Sequence, residues 1–233
     1  VGISKLTIEL VDAAGSPVMT ALTNQLMRLR NPNAAAVAAA AAMRKARPTE
    51  QRAVEPDLWS EPEAFLSAPD RNHFEDVAIG DLRDIGSHTF ERDAVLEFAR
   101  QYDPQPFHLD EEAGKRSLFG GLSASGWHTA STFIRKVVDA RKEHARAIAA
   151  AGNPIATWGP SPGFRNLQWP KPVLVGDTVS FRQKVVEKRD LKSRPKTGLV
   201  ITRSEGRNQK GEIVYKFTGQ MLVERRSPYV APV

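Results

Sequence analysis

Residues 103 to 108 read Asp-Pro-Gln-Pro-Phe-His. A carboxylate and an imidazole stand five residues apart, and Pro104 and Pro106 restrict the backbone between them. Held at a fixed separation, such a pair can grip one water molecule and move its protons. Histidine titrates near neutral pH, and a neighbouring carboxylate tunes it. Stiffness matters because misplacing a catalytic group by about 1 Å costs on the order of 100-fold in rate. The same residues also admit a structural reading, in which Asp103 caps a turn and His108 fills space. Further on, Phe119-Gly120-Gly121-Leu122-Ser123-Ala124-Ser125-Gly126-Trp127-His128 puts small residues just ahead of a helical pattern. Free N–H groups at a helix start attract negative charge, and a thioester carbonyl that becomes an enolate needs such a donor. Gly126, with no side chain in the way, is the candidate donor. Close helix–sheet packing is the alternative use of these glycines.

These residues need elements to hold them. The main domain is expected over 72–228, with Phe74 to Asp84 as an entry segment and His88 to Phe90 as a short strand. An amphipathic helix follows from Ala94 to Tyr102, with Val95, Phe98 and Ala99 on one face and Asp93 as N-cap. Pro104 and Pro106 prevent that helix from continuing to His108. A second, long helix starts near Ser125 and runs to Ala150, stopped by Gly152-Asn153-Pro154. The pattern then turns β: Gly163 to Trp169, Thr178 to Lys188, Gly198 to Glu205 and Glu212 to Glu224, with Asn208 to Gly211 as a hairpin turn. Antiparallel strands behind one long helix predict an α+β fold, a sheet curled around a helix.

Residues 1–71 read as an N-terminal extension. Leu6 to Leu10 alternates like a strand, Asp12 to Pro17 is a turn cluster, and Val18 to Arg30 is either a strand or a helix. Ala34 to Ala46 is an alanine-rich helix without a large apolar face. Residues 47–72 are irregular, with Trp59 and Phe65 as anchors. No internal repeat, phosphate-cradling Gly-Lys-Ser motif or dinucleotide glycine fingerprint is evident.

Composition narrows the function classes. The chain has 233 residues, 41% hydrophobic and 26% charged, in the range of a globular protein. It is long enough to bury roughly 70% of its unfolded surface and enclose a pocket. No apolar run approaches the ~20 residues that span a bilayer, and no signal-peptide pattern opens the chain. A cytoplasmic protein with no membrane partner is therefore expected. The absence of cysteine excludes disulfides, a thiol nucleophile and Cys-ligated metals. The net charge of +6 reads as a basic surface or as a site for a phosphorylated small molecule. A nucleic acid partner is not expected, because no helix-turn-helix, finger or aromatic RNA-binding signature is present. His73, His88 and His144 lack metal-ligand spacing, so no metal is expected.

Tyr-Asp-Pro-Gln-Pro-Phe-His over 102–108, followed by Phe-Gly-Gly-Leu-Ser-Ala-Ser-Gly-Trp-His-Thr-Ala-Ser over 119–131, resembles the MaoC-like dehydratases, which include the R-specific enoyl-CoA hydratases. Trp169-Pro170-Lys171-Pro172-Val173 and Gly176-Asp177-Thr178 are similar to the same family's strand pair, and the resemblance covers about 72 to 226. It implies a hot-dog fold, a long helix wrapped by an antiparallel sheet and usually paired into a homodimer or higher homo-oligomer. It implies hydration of an enoyl-CoA, or dehydration of a 3-hydroxyacyl-CoA, with no cofactor beyond the coenzyme A of the substrate.

Asp103 and His108 fall on the family's catalytic pair, Gly126 on its enolate-binding amide and Ser131 on its helix serine. Ser125, Gln105, Phe107 and Trp127 are expected around the substrate. Two positions depart from the family pattern: Gln105 stands where Asn is usual, and Ser125 where His is frequent. Arg165, Lys171, Lys188, Arg189, Lys192 and Arg194 are candidate partners for the CoA phosphates. His128 is expected to be a satisfied core histidine, and Trp127, Trp158 and Trp169 to form core or tunnel wall. A hot-dog thioesterase and a non-catalytic acyl-binding module are the competing functions.

Overall fold

The computed structural model describes residues 2–27, 58–59 and 72–230. The chain divides into two compact units, 1–55 and 56–233. In the first unit, β1 (Gly2–Val11) and β2 (Pro17–Met27) form an antiparallel two-stranded hairpin. Val18 therefore opens onto a strand, not a helix. The alanine-rich stretch from 34 to 46 and Phe65 lie outside the described residues.

In the second unit, β3 (Leu82–Thr89), β5 (Thr178–Asp190), β6 (Thr197–Arg207), β7 (Ile213–Glu224) and β4 (Phe164–Gln168) form one sheet, in the order β3-β5-β6-β7-β4. Every pairing is antiparallel. The helices are α1 (Arg92–Tyr102), a single turn α2 (Pro106–Leu109), α3 (Glu111–Arg116) and the long α4 (Gly126–Ala150). Register shifts at Asp84/Gly86, Val185/Glu187 and Gly206/Arg207 insert bulges, which increase twist and let a sheet curl. This is the hot-dog arrangement.

Helix α4 buries Thr129, Phe133, Val137 and Ile148, positions that recur along one stripe. Phe133 is its main anchor, with ring centroids 5.7 Å from Phe181, 5.5 Å from Tyr215 and 5.2 Å from Phe217. Removing such a side chain costs about 3–5 kcal/mol. Asn72 ties the segment ahead of β3 to the rest of the unit: its side chain bonds the backbone of Pro154 and Ala156 and its carbonyl accepts from the Trp158 indole. Leu58 is fully buried, and Trp59 lies beneath the Arg182 and Arg207 guanidiniums.

Several local expectations are corrected. Glu91, not Asp93, is the N-cap residue of α1, and it makes no side-chain cap bond. Asp93 sits inside the first turn, where its charge suits the helix dipole. His108 does not lie in open loop: Pro106 starts the short α2, its fixed φ suiting the first helical position. β3 is longer than the segment from His88 to Phe90, because its first half pairs with the middle of β5.

Candidate active site

Asp103 ends α1, its N–H bonding the Ala99 carbonyl, and its side chain turns toward the start of α4. There the Ser125 hydroxyl accepts from the Trp127 N–H at 3.2 Å as N-cap and donates to Asp103 Oδ2 at 2.7 Å. Gln105 donates to Asp103 Oδ1 at 2.7 Å. Both carboxylate oxygens are therefore held, each by one of the two residues that depart from the family pattern. Ser125 and Gln105, expected around the substrate, direct these donors at the carboxylate.

His108 is buried. Its Nδ1 lies 2.7 Å from the Ser123 carbonyl and 3.2 Å from the Ser123 hydroxyl. A carbonyl oxygen only accepts, so Nδ1 carries a proton, and when the ring is neutral Nε2 is an acceptor. Nε2 stands 3.5 Å from Asp103 Oδ2. Two acceptors at that distance cannot bond each other, but each can take one O–H from a shared water. Phe107 packs edge-on against the His108 ring, and Phe119 stacks over it at 6.0 Å. Ser123 had no expected role, since a backbone carbonyl acts without regard to residue type.

Gly126 is the first residue of α4, so its N–H has no intrahelical acceptor. A Cβ here would come within 2.6 Å of the Trp169 ring, whose indole N–H bonds the Gly126 carbonyl at 2.9 Å. Trp169 thus requires glycine at this position. Trp127 meets Trp169 edge-on at 5.5 Å.

An apolar groove of about 370 Å³ begins at this turn. It is lined by Trp127, Ala130, Ser131 and Ile134 of α4, Phe164 and Leu167 of β4, and Tyr215 and Phe217 of β7. Ser131 reaches the groove while its hydroxyl donates to the Trp127 carbonyl at 2.8 Å. Burial pushes the Tyr215 phenol well above its ordinary value, so it stays protonated. Asp103, His108 and Gly126 are not among the lining residues.

His128 lies on the other side of the turn. Its ring stacks on Phe98 at 4.6 Å, and its buried Nδ1 has no hydrogen-bond partner. It is therefore a packed histidine but not a satisfied one. Burial and the neighbouring His88 push its pKa down to about 4. Among the candidate phosphate cations, Lys188 bonds the Val77 carbonyl and covers Phe74, Arg189 pairs with Glu187, and Lys171 lies 3.8 Å from Glu212. Arg165 is exposed on β4 beside Phe164. The described residues contain no group of three or more His, Cys, Asp or Glu able to hold a metal, and no helix long and apolar enough to cross a membrane.

A family model described as MaoC like domain matches residues 78–206. The chain belongs to the MaoC-like family. Members of that family are hydratases and dehydratases. The MaoC-like dehydratase of Rhodospirillum rubrum is 38% identical and superposes with a TM-score of 0.52, covering 66% of this chain and 97% of that one. A putative MaoC domain protein dehydratase of Chloroflexus aurantiacus, 17% identical with a TM-score of 0.62, is covered over 65% of its length by 97% of this chain and is alike in fold. The uncharacterized protein YdeM of Bacillus subtilis is 34% identical over 55 residues, and this MaoC-like chain spans only 39% of its length.

Proposed function

We propose that this MaoC-like protein interconverts an enoyl-CoA and a 3-hydroxyacyl-CoA, with Asp103 and His108 holding the water. The observation that carries the reading is the pair of acceptors, His108 Nε2 and Asp103 Oδ2, 3.5 Å apart beside the start of α4. The water donates one O–H to each. As its oxygen bonds Cβ, His108 Nε2 takes one proton and the C=C electrons move toward the thioester oxygen. The Gly126 N–H stabilises the resulting enolate. The proton then passes to Cα, so the H and OH of one water end on adjacent carbons and the protein returns to its starting state. Dehydration is the reverse. The acyl chain lies along the apolar groove past Trp127 and Ser131, and Arg165, next to Phe164 of that groove on β4, is the candidate phosphate partner. A homodimer in the cytoplasm belongs to the same proposal.

The test is turnover of crotonyl-CoA. Asp103→Asn and His108→Ala are each expected to lower kcat by about 1000-fold or more, the scale of losing a positioned acid/base group, with the fold intact by circular dichroism. Equal turnover in all three proteins would remove the pair from the chemistry. Release of free coenzyme A thiol would point instead to a thioesterase.

A further inference from the structure

Asp103 and His108 reach the start of α4 from two different segments, and one turn ties both segments down. That turn is Leu174 to Asp177, ahead of β5. The Asp177 N–H bonds the Leu174 carbonyl at 3.0 Å, and Gly176 takes a φ of 88° inside the turn, where glycine is favoured.

One side of the turn holds the His108 segment. The Val175 N–H bonds the Leu122 carbonyl at 3.0 Å, the Ala124 N–H bonds the Val173 carbonyl at 2.8 Å, and Ser123 bridges Leu174 between them. Ser123 then grips the His108 segment twice. Its N–H bonds the Phe107 carbonyl at 3.4 Å, and its carbonyl stands 2.7 Å from His108 Nδ1. The other side of the turn holds the Asp103 segment. The Phe90 N–H bonds the Asp177 carbonyl at 2.9 Å, and the Phe90 carbonyl accepts from the Gly176 N–H at 3.0 Å. Phe90 is fully buried and leads through Glu91 into α1, which ends on Asp103.

The Asp177 side chain locks this joint. It is buried, and both of its oxygens are engaged. Oδ2 accepts from the Leu174 N–H at 2.8 Å, which closes the turn a second time. Oδ1 accepts from the Gln209 amide at 2.6 Å, and the oxygen of that amide accepts from the Thr178 N–H at 3.1 Å. The hairpin turn between β6 and β7 is thereby fastened to the same joint. Buried donors keep their partners in a native fold, so removing this carboxylate forces Leu174 and Gln209 to move until each finds another.

We infer that Asp177 is a positioning residue, which sets the separation of Asp103 and His108 by locking the turn that carries both of their segments. The inference rests on the reading of that pair as the holders of the water. Asp177 itself touches neither the water nor the thioester. It acts through Leu174 and Ser123 on one side and through Phe90 and α1 on the other.

The test uses the full 233-residue chain and two readouts, the ¹⁵N spectrum of the neutral His108 ring and the turnover of crotonyl-CoA. The unsubstituted protein is expected to show one tautomer, with the proton on Nδ1. Asp177→Ala brings in the Nε2–H tautomer and lowers kcat about 10-fold with KM little changed. That is the scale of a shift of about 0.5 Å, when about 1 Å costs on the order of 100-fold. Asp177→Asn keeps an acceptor for the Leu174 N–H and recovers both readouts. Gln209→Ala trims an exposed side chain, so the fold is kept, and it moves both readouts the same way by less. Val185→Ala, in the cluster with Phe74 and Val223, lowers Tm but leaves the His108 spectrum as it was. An unaltered tautomer in both Asp177→Ala and Gln209→Ala overturns the inference, whatever the rate. So does a Val185→Ala spectrum altered as much as theirs. An altered tautomer in a chain that never turns over crotonyl-CoA upholds the positioning role and removes the hydratase reading.

Discussion

Two surfaces meet at the start of α4, and they are built on opposite principles. On the Asp103–His108 side, the polar contacts are specified: Ser123 fixes the tautomer of His108, while Ser125 and Gln105 each hold one oxygen of Asp103. On the Trp127–Ile134 side, the groove is apolar and its limits are set by side-chain volume. Hydrogen bonds are directional and costly to leave unmade, so the first surface tolerates little displacement. Apolar contact is non-directional and scales with area, so the second can change occupant gradually.

Substitutions that act on one surface and spare the other test this division. The largest effect beyond Asp103 and His108 is expected from Gly126→Ala. The new Cβ must displace Trp169, which it would meet at 2.6 Å. A shift of about 1 Å in the amide lowers kcat on crotonyl-CoA by about 100-fold. Unchanged kcat would mean that the amide is not a donor to the enolate.

Ser125→Ala is next. It removes a donor to Asp103 and the cap of α4, costing about 1.5–3 kcal/mol in the hydrogen bond to a charged group and roughly 1 kcal/mol in the cap. A fall in kcat of about 30-fold is expected, with KM little changed and Tm a few degrees lower. A rise in KM alone would instead make Ser125 a substrate contact.

Ile134→Trp fills the groove while leaving the polar cluster intact. With long-chain enoyl-CoA, KM is expected to rise about 10-fold, in keeping with roughly 1–3 kcal/mol per methylene of fit, while crotonyl-CoA turnover holds. Equal loss on both substrates would place the acyl chain elsewhere.

The smallest effect is at His128, which belongs to neither surface. Its folded pKa, about 4, is depressed below the ordinary histidine value of 6.5. The unfolded chain therefore binds the extra proton first, and stability contributed by the neutral ring is lost as pH falls from 6.5 toward 4. Tm followed across that window should drop less steeply in His128→Phe, which keeps the stack on Phe98. Parallel curves would show that His128 protonation does not load the fold.

Much of this was legible because its signals are local. Pro104 and Pro106 announced a break between Asp103 and His108, the run ending at Gly126 announced a helix start, and Asn208 to Gly211 announced a turn. The partners of those residues were not legible. Ser123 acts on His108 through a carbonyl, which any residue supplies. Gln105 and Ser125 looked like departures from a motif until the fold brought both onto Asp103.

The sequence by itself determined which groups could do chemistry and where helices and strands begin, because caps, breakers and periodicity act within a few residues. Only the tertiary structure decided that Nε2 of His108 faces Asp103 and that Trp169 requires glycine at 126. Those outcomes depend on contacts between segments far apart in the chain, and the packing of the whole sheet on α4 sets their distances.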